Sequence, residues 1–189
     1  MKINRKALLA TLTQQVSQNI QQAKSLLIKP ADVLSAQPAP GAWSILQVIS
    51  HLNTYNQYYL PYIKSAANNS YKAADTDYSP GVLGNYFVNM MQPKNGVVVK
   101  KYKAAKQHLP VVVEDGVIET YIKDQLELLH YLDLSENVPL IKNKVPVSIS
   151  PIIKLRLGDV YRFLVAHQQR HFVQIAGNLR VLSSDSVNA

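Results

Sequence analysis

The chain contains no cysteine, and this absence excludes whole classes of site. Without thiols the protein can form neither disulfides nor cysteine-ligated zinc sites, and no cysteine can act as a nucleophile. If the protein handles thiols, the sulfur must therefore arrive on a substrate. Acidic residues are also scarce, because 12 Asp and Glu stand against 20 Lys and Arg, which gives a formal charge of +8.

Long apolar runs are missing as well. No stretch approaches the ~20 apolar residues that are needed to span a bilayer. The basic and apolar start at residues 1–10 is followed at once by polar residues, so it predicts an amphipathic helix rather than a signal peptide. With 47% hydrophobic residues in 189 positions, the composition indicates one globular domain over residues 1–189, cytoplasmic and without a membrane partner.

The positive charge raises the question of a nucleic-acid partner. Basic residues are spread along the chain, and their densest cluster lies at residues 100–106. No zinc-finger pattern, aromatic RNA-binding motif or convincing helix-turn-helix accompanies this cluster, which argues against nucleic acid. We interpret the charge as a solvated helix face, and a basic pocket rim that attracts an anionic substrate is the alternative.

Two histidines near the C-terminus share one helix face. His167 and His171 are four residues apart, so both rings can reach one point. They continue the apolar seam of Val160, Leu164 and Ile175. Imidazoles in an apolar seam are costly unless their nitrogens find partners, either in the protein or in a metal ion that binds both.

His51 supplies a third candidate ligand from a second helical segment. Its neighbours at helical spacing are apolar or aromatic: Val48, Leu52 and Tyr55. Three histidines from two helices, with one position left for water, are typical of a catalytic metal centre rather than a closed structural one. His108 and His130 lie in more polar or ambiguous settings, and we interpret both as non-ligands.

The segments around these histidines resemble the DinB-like superfamily, which includes YfiT-type proteins classed as metal-dependent hydrolases and the thiol S-transferases. Residues 40–52 are similar to the family's W-S-x-x-x-x-x-x-H-L entry into its second helix, and residues 157–175 to its final-helix H-x-x-R-H-x-x-Q-I signature. The resemblance implies an all-α four-helix bundle with a divalent metal held by three histidines. In this chain these are His51, His167 and His171.

The resemblance implies a small-molecule substrate, and a low-molecular-weight thiol is one candidate. Three neutral imidazoles leave the ion its full charge, so a bound water could ionise with a pKa of about 7, or a substrate thiol could ionise on the ion. Nickel and zinc both suit imidazole ligands. The same three histidines serve a hydrolase or an S-transferase, and the oligomeric state, a homodimer included, stays open.

Two features set limits on this interpretation. Many relatives carry a His-Pro dipeptide before the last helix, where this chain has Ser150-Pro151, so the substrate is not defined. No acidic residue accompanies the histidines as a general base, and the catalytic residues are therefore unknown. A non-enzymatic metal-binding or stress-response bundle is the alternative, and a DNA-associated protein is a third hypothesis that rests on charge alone.

Three further residues are candidates for supporting roles around the histidines. Gln47 lies one turn before His51, and Gln174 lies three residues after His171, so either could orient an imidazole by a hydrogen bond. Arg170 could pair with a carboxylate, either structurally or on a substrate.

The apolar periodicity predicts four long helical regions. The first covers residues 5–28, before Pro30. The second opens with a Ser44–Gln47 capping box, and Pro61 should kink or end it. It also carries a series of tyrosines that we interpret mainly as packing residues, with a pocket lining as the alternative: Tyr55, Tyr58, Tyr59 and Tyr62.

The second half of the chain is less regular. Residues 67–96 are predicted as a long connection with a short helix at 82–91. The third helix is predicted in two pieces, 97–107 and 117–132, and the valine-rich residues 111–113 between them are a candidate strand without a partner. Residues 135–151 are predicted as a connector, and Asp159 then opens the last helix, where an acidic residue suits the positive end of the helix dipole.

Overall fold

The computed structural model describes residues 2–68, 74–98, 100, 102–110 and 115–185. Within these ranges the fold is mostly helical, as predicted, with α1 (Arg5–Leu26), α2 (Ala31–Ser35), α3 (Ile45–Asn68), α4 (Val82–Met91), α5 (Val117–Leu134) and α6 (Leu157–Asp185). Short 3-10 turns lie at Lys106–His108 and Ser135–Asn137. Two antiparallel strand pairs complete the fold: β1 (Ile3–Asn4) with β2 (Asp77–Tyr78), and β3 (Lys144–Val147) with β4 (Ser150–Arg156).

The four long helices α1, α3, α5 and α6 pack against one another around the core. The apolar stripe predicted for α1 is buried, with Val16 and Ala23 fully inaccessible to solvent. On α3, the buried side chains include Ile45, Ile49 and Ile63. This packing fixes the faces of α3 and α6 that look into the molecule, and the candidate histidines lie on those faces.

The start of α3 follows the sequence prediction closely. The Gln47 backbone N–H donates to Ser44 Oγ (3.2 Å), and the Ser44 N–H donates to Gln47 Oε1 (2.9 Å), so the capping box is confirmed. Of the two effects predicted for Pro61, a kink or an end of the helix, the end is wrong, because α3 continues to Asn68. Leu60 and Ile63 are buried on either side of the proline, and their packing outweighs a helix-interior proline penalty of roughly 3 kcal/mol.

The helix predicted at residues 97–107 is absent from the described part of that segment. Lys94 and Val97 form an isolated antiparallel bridge, residues 102–105 have no regular structure, and only Lys106–His108 form a 3-10 turn. The described residues of 97–107 are all exposed or half-buried, so the segment has no apolar stripe to hold a helix against the core. The candidate strand at 111–113 lies outside the described residues.

The connector predicted at 135–151 contains a strand that the sequence did not reveal. β3 lies within it and pairs with β4, with Lys144 opposite Arg156 and Val145 opposite Leu155. Prolines at positions 146 and 151 are compatible with these strands, because among the described residues this sheet consists of β3 and β4, and both are edges where proline is tolerated. α6 follows β4 directly and begins two residues before Asp159.

Asp159 anchors the connection that carries α4. Its carboxylate is 1% exposed and accepts hydrogen bonds from the Tyr78 hydroxyl and from the Gly81 N–H (3.0 Å). Arg162 lies 3.6 Å from the same carboxylate. The helix-dipole role predicted for Asp159 is thus joined by a second one, because the residue also ties the β2–α4 region to the start of α6.

Replacing Gly84 by alanine should destabilise the protein, because a Cβ at this position would overlap the Asp159 carboxylate. We expect a loss of about 1–3 kcal/mol in the free energy of unfolding. Gly177→Ala is the matched control, since this glycine is also helical and its Cβ would meet nothing within 4 Å. That change should instead stabilise by roughly 0.5–1 kcal/mol. Urea unfolding followed by circular dichroism measures both, and equal stabilisation by the two changes would contradict the packing described for α4.

Candidate metal centre

α3 and α6 bring the three predicted histidines together. His51, His167 and His171 are only 2%, 3% and 9% exposed. The Nε2 atom of His167 lies 3.3 Å from Nε2 of His51 and 3.1 Å from Nε2 of His171. One ligand atom from each residue lies within 4.8 Å of the other two. The side chain of His51 on α3 thus meets those of His167 and His171, which the i, i+4 spacing places on one face of α6.

Hydrogen bonds on the far side of two rings fix where the ring protons lie. His51 Nδ1 donates to the backbone carbonyl of His108 (2.5 Å), and His171 Nδ1 donates to Gln174 Oε1 (2.9 Å). Because a carbonyl oxygen only accepts, each Nδ1 carries the proton and each Nε2 carries a lone pair. Both lone pairs belong to the nitrogens that face His167.

This arrangement of donor atoms fits a divalent ion. Zinc–nitrogen distances of about 2.0–2.1 Å in a tetrahedral geometry place ligand nitrogens roughly 3.3 Å apart, close to the observed 3.3 and 3.1 Å for the two pairs that include His167. Without an ion, His167 Nε2 can donate a proton to only one of its two neighbours. The Nε2 lone pair of the other neighbour would then be buried without a partner. A cation shared by the three histidines would instead bind the Nε2 lone pair of each.

The electrostatic environment keeps these imidazoles neutral. Burial, together with the neighbouring His51, lowers the pKa of His171 to about 3. Burial likewise lowers the pKa of His167 well below its usual value, and that of His51, although the hydrogen bond to the His108 carbonyl opposes the shift for His51. A neutral imidazole is the form that binds a metal, so the site is in its ligating state near neutral pH.

His108 contributes to the site in a way that its sequence context did not indicate. It lies outside the three-histidine cluster, but its backbone carbonyl holds His51. Its ring stacks on Tyr55 with centroids 3.8 Å apart, and its Nδ1 lies 2.9 Å from Thr54 Oγ1. Because the contact with His51 uses the backbone, no pattern of side chains could have predicted it.

The predicted supporting residues have different outcomes. Gln174 is confirmed as the hydrogen-bond partner of His171, whereas Gln47 serves the capping box of α3 instead. Arg170 donates to the backbone carbonyl of Lys100 and stacks over the Tyr102 ring, and no described carboxylate pairs with it. His130 is exposed on α5, away from the cluster.

Aromatic rings separate the histidines from a neighbouring cavity. The Tyr55 ring packs against His167 at a centroid distance of 4.3 Å, and the Phe163 ring lies parallel to His167 at 5.9 Å. Both aromatic residues also line a cavity of about 210 Å³. A larger groove of about 860 Å³ between α1 and α6 is lined mainly by glutamines and other polar residues. None of the three histidines lines either cavity, but the smaller one shares with the candidate metal centre the two aromatic rings that pack against His167.

The fold and the site define a class of protein: mostly helical proteins in which two helices bring three buried histidines together. The chain belongs to the DinB superfamily, whose family model matches residues 7–175 and so includes all three histidines. No curated protein and no solved structure shows a match to the chain. None of the helices in the described ranges combines the length and apolar character needed to cross a membrane.

Proposed function

We propose that the protein is a divalent-metal-dependent enzyme whose ion is held by His51, His167 and His171. The observation that carries the proposal is the convergence of their Nε2 atoms in a buried site, with the Nδ1 protons of His51 and His171 fixed by hydrogen bonds. Membership of the DinB superfamily supports it. We also infer that α1, α3, α5 and α6 form a four-helix bundle of the DinB type in a single domain.

The chain's own residues prepare this site for small-molecule chemistry. The His108 carbonyl and the Gln174 amide orient two of the imidazoles, while Tyr55 and Phe163 pack against the ring of the third, His167. When bound, zinc or nickel with three neutral ligands supplies Lewis-acid chemistry that lowers the pKa of a water or thiol in its open position. The reaction is accordingly hydrolysis of a small molecule or S-transfer from a low-molecular-weight thiol.

Proton-accepting groups beside the site are few. No described Asp or Glu belongs to the cluster. Burial raises the pKa of Tyr55 to about 12, so its phenol stays protonated at neutral pH. Burial lowers the pKa of His108 to about 4, and its Nε2 has no hydrogen-bond partner, so His108 is a neutral base next to the site. The lack of a carboxylate favours the second candidate, a metal-binding protein without catalysis.

Turnover measurements separate these functions. The zinc- and nickel-loaded proteins are assayed with a panel of thiol and electrophile pairs and with a panel of small esters and amides. We expect turnover with one panel, lost after chelation and in His51→Ala, and retained in His130→Ala, which changes an exposed histidine outside the cluster. Equal turnover by His51→Ala would overturn the assigned ligands. Bound metal without turnover on either panel would favour the non-enzymatic candidate.

A further inference from the structure

The cavity beside the histidines combines contributions from several parts of the chain. α3 provides Tyr55, α4 provides Phe87 and Met91, the segment after α4 provides Tyr102 and Lys103, and the β3–β4 region and α6 complete the wall. The volume of about 210 Å³ lies below the ~300–1,000 Å³ that is usual for drug-sized ligands. It exceeds the roughly 150 Å³ of an engineered cavity that accepts benzene, so one ring with a short substituent fits.

The lining of this cavity selects for a particular chemistry. Most of the described lining residues are apolar or aromatic, and Lys103 is the charged one among them, with no carboxylate present. Two further cations contact the Tyr102 ring without lining the cavity, because Lys100 Nζ is 5.5 Å and Arg170 Cζ 5.3 Å from its centroid. The cavity therefore joins an apolar interior to a positive edge, which favours a ligand that is apolar at one end and anionic at the other.

The cavity shares two structural parts with the metal centre. Tyr55 and Phe163 line the cavity and also pack against His167. The segment 102–108 lines the cavity through Tyr102, Lys103 and Ala105, and it ends at His108, whose carbonyl holds His51. A molecule in the cavity would thus lie one aromatic ring away from the histidines, in contact with the segment that orients one of them.

We propose that this cavity binds the non-reacting part of the substrate. The substrate class is a small molecule with a single aromatic or branched aliphatic body and an anionic group that pairs with Lys103. The role of the cavity in catalysis rests on the proposed metal-dependent function, whereas binding of a ligand in the cavity does not need the ion. Lys103 binds the anionic group of the substrate, and Tyr55 is the ring that separates the bound body from the histidines.

Three probes with the same body test the proposal: 3-phenylpropionate, 3-phenylpropanol and 3-phenylpropylamine. Their affinities are measured by calorimetry on zinc-loaded and on metal-free protein, so that ligation of the carboxylate by zinc is separated from pairing with Lys103. We expect the carboxylate to bind about threefold to fivefold more tightly than the alcohol in both forms, because a solvent-accessible ion pair contributes about that factor to an affinity. The amine should bind most weakly.

Two variants test separately the pairing of the anionic group with Lys103 and the binding of the apolar body in the cavity. Lys103→Met should abolish the preference for the carboxylate and leave the alcohol's affinity unchanged. Lys64→Met is the matched control, because Lys64 is exposed on α3 and does not line the cavity, and it should keep the preference. Met90→Trp, which enlarges a half-buried lining residue, should remove measurable binding of all three probes.

The outcomes also distinguish this proposal from the metal-dependent function. No preference for the carboxylate in the metal-free protein, a preference that survives Lys103→Met, or full binding in folded Met90→Trp would each overturn the cavity proposal. Circular dichroism of every variant establishes that it is folded, and zinc content is measured in the same samples. A wild-type protein that binds no zinc would overturn the metal-dependent function, while the cavity proposal is still decided by the metal-free measurements.

Discussion

Replacing His51, His167 or His171 by alanine will reduce bound zinc or nickel from near stoichiometric to near zero at equal protein and metal concentrations. Each variant leaves two imidazoles in a site where no described carboxylate can substitute. Loss of an outer hydrogen-bond partner of a ligand typically lowers metal affinity about 10–100-fold, and we expect loss of a ligand itself to exceed that range. Equilibrium dialysis followed by elemental analysis measures the effect.

Histidines outside the cluster provide the controls for this experiment. His130→Ala removes an exposed imidazole on α5 and should leave metal content unchanged. His108→Ala should also retain the metal, because the group that holds His51 is the backbone carbonyl of residue 108 and alanine preserves it. Gln174→Ala removes the partner of His171 Nδ1 and should weaken binding about 10–100-fold. Full metal content in all three single ligand variants would show that the site is wrong.

Metal-free protein should lose stability as the pH falls below about 6.5, the ordinary histidine pKa. Burial lowers the pKa of folded His171 to about 3. Between these two values the unfolded chain binds a proton at this residue and the folded chain does not. Stability is therefore fully present above pH 6.5 and is lost progressively towards pH 3, by about 1.4 kcal/mol per pH unit for one imidazole. His51 and His167, whose pKa values are also lowered, act in the same direction.

Urea unfolding at pH 7.5, 6.5, 5.5 and 4.5 tests this prediction. Wild-type protein should show the loss, while His171→Gln should lose less stability over the same range because one titrating imidazole is gone. His130→Gln should behave as wild type. At pH 7.5, zinc at about a thousand times its dissociation constant should add about 4 kcal/mol, because it binds the folded site. Wild-type stability that is constant from pH 7.5 to 4.5 in the absence of metal would contradict the burial of three neutral imidazoles.

The sequence predicted those parts of the structure that follow from local periodicity. The first helix, the Ser44–Gln47 capping box and the short helix at 82–91 were predicted because their signals lie within a few residues of one another. The meeting of His51 with His167 and His171 was predicted from helical faces together with the family resemblance. The helix faces alone indicate that these three side chains point inward. The family resemblance is what indicates that they meet at one site.

The parts that the sequence did not predict depend on tertiary contacts. The segment 97–107 carries good helix formers such as Lys and Ala, but without a buried face it does not form a helix in its described part. β3 was not predicted, and its Pro146 is tolerated because, in the part of the chain that the structure describes, β3 pairs with β4 alone and is an edge strand. The role of His108 is a backbone contact across 57 positions of sequence, and the cavity near Tyr55 arises only when distant segments pack together.

The proposed function depends on one divalent ion bound among the Nε2 atoms of His51, His167 and His171. Anomalous diffraction at the zinc absorption edge, from crystals grown with zinc, tests it most directly. We expect a single strong peak about 2.0–2.1 Å from each of the three Nε2 atoms, with no fourth protein ligand. A peak elsewhere, with the three histidines hydrogen-bonded only to one another and to the protein, would contradict it.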